Sequence, residues 1–217
     1  MEKIAVIIYH KNVESIYSHR WITECIDSIR NQTFQHFDVF ELNYGNADKF
    51  YFPEDNKRLV YRKKLDLTNH IHAMNHLIES ALQLDYDIIF NVNLDDTFSP
   101  VRFIKQYEKI KQGYDIVSSN FWYTNDRGER FKKMNMIGSG DIGLNLKKNH
   151  NVIAHPCVCF NKSFFNTGLR YKDLIGYEDL DLWKRAYAEG KRFFIIDDYL
   201  LNYRLHVKQV TKTHKAK

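Results

Sequence analysis

The side chains that could do chemistry in this 217-residue chain fall in a few short stretches. Asp95 and Asp96 stand side by side directly after the apolar run Asp87–Val92. Adjacent carboxylates repel, so a loop presenting both in a crevice needs a cation or full hydration. A hard divalent ion, Mg²⁺ or Mn²⁺, bridging carboxylate and diphosphate oxygens suits them. An Asp-rich turn that merely starts a loop is the competing explanation. Glu178 and Asp179 follow Gly176 and open a helical stretch. Acids in a first helical turn are stabilised by the helix dipole whatever else they do, and one beside a crevice can also serve as a general base. His72 and His76 lie four apart, but no carboxylate completes a metal site at HExxH spacing, and the stripe Ile71, Met74, Ile78 accounts for their helix as core packing. In Tyr203-Arg204-Leu205-His206, a guanidinium suited to phosphate stands near an imidazole suited to metal.

The elements that must position these groups read as alternating strands and helices. Ile4–Tyr9 is a continuous, β-branched apolar run, the pattern of a strand buried on both faces. Ile22, Cys25, Ile26 and Ile29 recur at helical spacing. Phe37–Leu42 and Arg58–Tyr61 read as strands, Asn69–Leu82 as an amphipathic helix and Asp87–Val92 as another buried strand. Ser99-Pro100 predicts a helix start with a capping hydroxyl, ending near Gly113. Asp115–Ser119 and Cys157–Phe160 read as strands, Glu178–Glu189 as a helix ended by Gly190, and Phe193–Ile196 as the last strand. Thr124–Asn151 lacks periodicity and reads as a long functional loop. Strand–helix alternation in the first half predicts an α/β fold with a mostly parallel sheet flanked by helices. Ligands of such sheets bind beyond the carboxyl ends of the strands, where Asp95 and Asp96 lie.

Composition narrows the function classes. Hydrophobic residues at 44% and charged residues at 27% are ordinary for a globular domain. Lys208, Lys212, Lys215 and Lys217 account for all but +1 of the formal charge of +5, so the body is nearly neutral and no nucleic-acid partner is expected. Residues 1–207 read as one domain and 208–217 as a basic tail capable of weak peripheral contact with an anionic membrane surface. The N-terminal apolar run is too short for a signal sequence or a membrane span. Cys25, Cys157 and Cys159 form no CxxC pair and read as buried thiols in a reducing compartment, so a cytoplasmic location is expected. No Walker loop, GxGxxG or GxSxG is present.

Taken in order, these stretches resemble the inverting GT-A glycosyltransferases (family 2-like) that use nucleotide-diphosphate sugars. Ile22–Phe34 looks like that family's first helix with its "CLDSILNQTY" ending, and Ala73-Met74-Asn75 is similar to its "ARN". Val92–Asp96 stands at its "LDSDD", the metal-binding DxD. Gly176–Asp179 resembles "GxED", and Tyr203–His206 resembles "YRxH". The resemblance implies a GT-A, Rossmann-like fold and Mn²⁺ or Mg²⁺ as cofactor. It implies Asp95 as principal metal ligand with Asp96 beside it, His206 completing the metal shell, Asp179 as catalytic base and Glu178 binding sugar hydroxyls. The donor would lie against Asn43, Asn93, Asp95, Asp96 and Arg204, and the acceptor would be a glycan, lipid or protein hydroxyl. The chain departs from the family pattern at Asn43-Tyr44-Gly45-Asn46, where "DDGS" is usual, which leaves a UDP-sugar as the default donor. It departs again at Asn93, which supplies an uncharged oxygen to the DxD and predicts weaker metal binding. These departures leave a degenerate, non-catalytic sugar-nucleotide binder as the alternative, with a nucleotidyltransferase behind it. Trp122, flanked by Phe121 and Tyr123, is positioned to stack on an acceptor sugar, or else simply packs at a strand end.

Overall fold

The computed structural model describes residues 2–136, 141–207 and 209. Strands β1 (Ile4–His10), β2 (Asp38–Asn43), β3 (Leu59–Lys64) and β4 (Ile88–Val92) run parallel in the spatial order β3-β2-β1-β4. Parallel neighbours require crossovers, and α1 (His19–Arg30) and α2 (His70–Gln83) supply two of them. Successive β1 side chains serve opposite layers, which is why its apolar run is unbroken. Ile4, Val6 and Ile8 join Ile22, Cys25, Ile26 and Ile29 of α1, while Ala5 and Ile7 join Ile71, Met74, Leu77 and Ile78 of α2. From β1 the chain steps to β2 on one side and β4 on the other, so a crevice opens at the carboxyl ends of these strands.

The second half extends the sheet beyond β4 in the order β8-β6-β9-β5. Here β5 is Thr97–Phe98, β6 is Ile116–Thr124, β7 is Arg130–Met134, β8 is Cys159–Asn161 and β9 is Phe193–Arg204. β8 is antiparallel to both β4 and β6, β9 runs parallel to β6, and β5 is antiparallel to β9. Parallel pairing therefore dominates the first half, and the second half is mixed. α3 (Arg102–Lys111) lies on the α1 side, and α4 (Ile142–Lys147) and α5 (Glu178–Ala188) lie on the α2 side.

Several boundaries differ from the sequence expectations. The Thr124–Asn151 segment is not one loop: β7 pairs back on β6 and α4 follows, the hairpin turning at Gly128, whose φ is +83°. The last strand runs past Ile196 to Arg204, through two register irregularities opposite Ser119–Phe121, so Tyr203 and Arg204 belong to it. Cys157 closes a 3₁₀ turn (His155–Cys157) ahead of β8 rather than opening a strand. Ser99 does not cap α3 with its hydroxyl, and the first helical turn is instead closed by a distant side chain. Gln32 Oε1 accepts from the Phe103 amide at 3.0 Å, and its Nε2 donates to the Ser28 and Ser99 carbonyls at 2.9 and 2.8 Å. The three cysteines are buried free thiols, and among the described residues no helix is long and apolar enough to cross a membrane. The four tail lysines lie outside the described residues.

Candidate active site

β4 ends at Val92, and the chain turns through Asn93–Asp96, where the Asp96 amide donates to the Asn93 carbonyl at 3.3 Å. Asp95 and Asp96 are both buried, only 8% and 1% exposed. Each carboxylate has one oxygen held and one without a partner. Asp95 Oδ2 lies 3.1 Å from His206 Nε2, and Asp96 Oδ1 accepts from the Arg204 backbone amide at 2.8 Å. Asp95 Oδ1 and Asp96 Oδ2 are buried with no hydrogen bond. Burial first, and the Asp95 charge second, push the Asp96 carboxyl well above the usual carboxylate range. Paired buried acids with orphaned oxygens fit a hard divalent cation. Among the described residues no cluster of three or more His, Cys, Asp or Glu could hold a metal by itself, so a cation here would take further ligands from a phosphate-bearing substrate.

His206 thus meets Asp95 as the resemblance implies, its ring lodged against Tyr17 and Trp21 at 5.4 Å centroid distances. Arg204, expected to lie against the donor, has its guanidinium engaged within the protein: Nε donates to the Asp95 carbonyl at 2.9 Å, Nη2 to Glu24 at 2.7 Å, and Nη1 to the Asn125 and Asp126 carbonyls at 3.3 and 3.2 Å. The side chain is 2% exposed and lies over the Trp21 ring. A planar fork with every arm engaged is a strut beneath the acidic loop.

Across the crevice, Glu178 and Asp179 open α5. Glu178 Oε1 lies 2.9 Å from His70 Nε2, and Oε2 accepts from the Gly176 amide. Burial alone would push Glu178 up, but the His70 hydrogen bond, its own backbone and the His70 and His155 charges outweigh it and hold Glu178 low. Asp179 moves the other way. Burial raises it, and the Glu178 charge adds to this, against His155 and hydrogen bonds from the Leu180 amide and Asn151. Two neighbouring carboxylates are thereby driven apart, the pattern that separates acid–base roles. Tyr9, at the end of β1, connects the two acidic groups: its hydroxyl donates to Asn93 Oδ1 at 3.1 Å and feels the charges of both Glu178 and Asp95.

Asn43 ends β2 and lines a cleft of about 220 Å³ with His10, Asn12, Glu14, Lys49 and Tyr51. Its amide donates to the Ala47 and Lys49 carbonyls and its oxygen accepts from Gly45, so it shapes the wall of this cleft. The Trp122 ring packs on Tyr199 at 5.4 Å, with Lys133 and Arg130 over it at 5.1 and 5.6 Å. His72 and His76 do not converge: His72 faces Asp173 at 3.7 Å and His76 bonds the Tyr61 hydroxyl at 2.6 Å.

Sequence reasoning missed His70, Glu24, Asn151 and His155. Each partner lies far along the chain, 108 residues away for His70, so no local spacing reports the contact.

The family model for glycosyl transferase family 2 matches residues 5–169, which takes in the Asp95-Asp96 loop and stops short of Glu178. The chain is 28% identical over 207 residues to the O-antigen biosynthesis glycosyltransferase WbnJ of Escherichia coli, covering 91% of this chain and 79% of that protein. Among solved structures, S. aureus TarS 1-349 in complex with UDP-GlcNAc superposes with a TM-score of 0.73 at 14% identity, over 98% of this chain and 61% of that one. The mannosyltransferase PcManGT from Pyrobaculum calidifontis, in complex with GDP-Man and Mn²⁺, gives 0.62 at 13% identity over 95% and 57%. This chain thus spans under two thirds of either solved chain, and the likeness establishes a shared GT-A fold. With the family model matching most of its length and the acidic loop inside the match, the chain belongs to glycosyltransferase family 2.

Proposed function

We propose that this chain is a metal-dependent, inverting glycosyltransferase that moves a sugar from a nucleotide-diphosphate sugar, by default a UDP-sugar, to an acceptor hydroxyl on a glycan, lipid or protein. The observation that carries the reading is the pair of buried carboxylate oxygens without partners, Asp95 Oδ1 and Asp96 Oδ2, with the Tyr9 hydroxyl lying within the field of both Asp95 and Glu178. TarS bound to UDP-GlcNAc and PcManGT bound to GDP-Man and Mn²⁺ support the donor class and the cofactor.

Asp95 and His206, with Asp96 beside them, would supply part of the shell of a Mn²⁺ or Mg²⁺ and the diphosphate the rest, and the ion would neutralise charge on that leaving group. Asp179, whose carboxyl is raised by burial, is the stronger base of the two neighbours and takes the acceptor proton. The acceptor oxygen then forms its bond to the anomeric carbon as the bond to the diphosphate breaks, inverting that centre. Glu178, kept ionised, accepts hydrogen bonds from sugar hydroxyls. Asn43 contributes by shaping the cleft beside the base, and Arg204 by bracing the acidic loop.

The test is calorimetric titration of UDP, then GDP, with and without Mn²⁺, on the wild type and Asp95→Ala. Metal-dependent binding of one nucleotide, abolished by the substitution, is the expected result. Equal binding with and without metal would remove the metal-dependent reading, and no binding at all would favour a scaffold that has lost its donor site.

A further inference from the structure

The segment that delivers Glu178 and Asp179 is fastened to side chains of α2 and its N-cap. Asn69, the N-cap of α2, donates to Asp173 Oδ1 at 2.7 Å. Asn75 makes a two-way clasp with the Tyr171 backbone, donating to its carbonyl at 2.8 Å and accepting from its amide at 3.1 Å. The third fastening touches a functional carboxylate itself: His70, first residue of α2, meets Glu178 at 2.9 Å, with the two side chains 21% and 12% exposed. Neither the family-model match, which ends before Glu178, nor any motif in the chain assigns His70 a part.

We propose that His70 is a positioning residue for the transfer step, fixing Glu178 in one rotamer as the permanently ionised carboxylate and so leaving Asp179 as the one that takes the acceptor proton. This rests on the transferase reading above. The geometry makes the division of labour. Each carboxylate has one donor on each oxygen, Glu178 from the His70 imidazole and the Gly176 amide, and Asp179 from the Leu180 amide and the Asn151 carboxamide. The two thus differ in the imidazole, the one partner of the four that can carry a charge. The titratable groups around Glu178 are His70 from α2, His155 from the turn before β8, Asp179 on α5 itself, Tyr171 from the preceding segment and Tyr9 from β1. Of these, His70 hydrogen-bonds the Glu178 side chain, while His155 is turned to the Tyr171 hydroxyl at 3.0 Å. Without His70 the largest of the contacts that oppose burial at Glu178 is gone, the Gly176 amide and the His155 charge remain, and the proton is shared more evenly between two adjacent carboxylates.

The experiment compares wild type, His70→Ala and His70→Gln in the full chain. The first readout is the titration of the Glu178 carboxyl carbon by NMR, which needs no turnover. Glu178 is expected to titrate at clearly higher pH in His70→Ala. The second is UDP release from UDP-glucose, UDP-galactose and UDP-N-acetylglucosamine with Mn²⁺, water serving as acceptor. His70→Ala is expected to lose at least tenfold in kcat with KM for the donor within twofold, and its acid limb should move up in pH. His70→Gln, which can still donate a hydrogen bond, should recover most of the kcat. An unmoved Glu178 titration, or a kcat loss that follows a fall in melting temperature and is not rescued by glutamine, would overturn the proposal alone. No UDP release by the wild type from any donor, with metal and nucleotide bound, would instead overturn the transferase reading and take the role of His70 down with it.

Discussion

Arg204→Lys keeps a positive charge under the acidic loop and removes the planar fork, so it isolates what the guanidinium does. The native side chain reaches the Asp95 carbonyl, the Glu24 carboxylate and the Asn125 and Asp126 carbonyls from three different nitrogens. A lysine has one nitrogen and can retain one of these directions, most favourably the Glu24 pair. The contacts of the other two nitrogens, Nε to Asp95 and Nη1 shared between Asn125 and Asp126, are then lost, at about 1.5–3 kcal/mol per nitrogen. The shared Nη1 contacts are long, 3.3 and 3.2 Å, and only part-buried, so the lower end applies: about 3 kcal/mol. For a chain of this size that corresponds to a fall in melting temperature of roughly 6–12 °C. The assay is thermal unfolding of both proteins without nucleotide, paired with calorimetry of UDP and Mn²⁺. A strut predicts a large loss of stability in the ligand-free protein. An unchanged melting temperature with a tenfold or greater loss of UDP affinity would refute the reasoning and return Arg204 to the role of phosphate ligand.

Three further outcomes follow from the same geometry. Asp179→Asn should reduce turnover by about 10²–10⁴-fold while leaving Mn²⁺-dependent UDP binding intact; because the wild-type carboxyl is raised and must be ionised to act, activity should fall as pH drops through a value above the usual aspartate range, and an acid limb at or below that range would count against it. Asp96→Asn removes one of two buried like charges yet can still accept from the Arg204 amide, so the metal-free protein should melt higher while Mn²⁺ binds more weakly; a lower melting temperature would contradict this. Gln32→Ala strands the Phe103 amide at the start of α3 and should cost about 2 kcal/mol in urea unfolding, with nucleotide binding retained.

What could be read from the residues was whatever buried apolar surface advertises. β1 is seen as an unbroken apolar run, and β4 as one broken only by Asn91, because helices cover both their faces, and α1 and α2 as stripes because one side of each is buried. The acidic loop was legible because it follows such a run directly. Edge strands advertise nothing of the kind. β7 reads Arg-Phe-Lys-Lys-Met and is exposed along most of its length, held by its hairpin alone, and its one local signal was the turn, where Asn125 Oδ1 accepts from two amides and Gly128 adopts a positive φ. β9 was lost at Asp197-Asp198, two exposed acids that interrupt the apolar pattern while the strand continues through its irregular register. The roles of Arg204 and His70 depend on partners some hundred residues away, and neither periodicity nor a cap can disclose them.

The placement of β5 has a consequence for the order in which the molecule comes together. Thr97 and Phe98, immediately after the acidic loop, pair only with Asn202 and Leu201 near the other end of the chain. During synthesis the Asp95–Asp96 loop therefore emerges long before its β9 partners exist, and closing that contact spans nearly half of the polypeptide. A ribosome-bound chain lacking β9 can assemble the parallel strands early, but it has no bracing arginine, no imidazole against Asp95 and no strand after the loop. Competence to hold a cation would thus switch on late and abruptly, as the final strand inserts between β6 and β5.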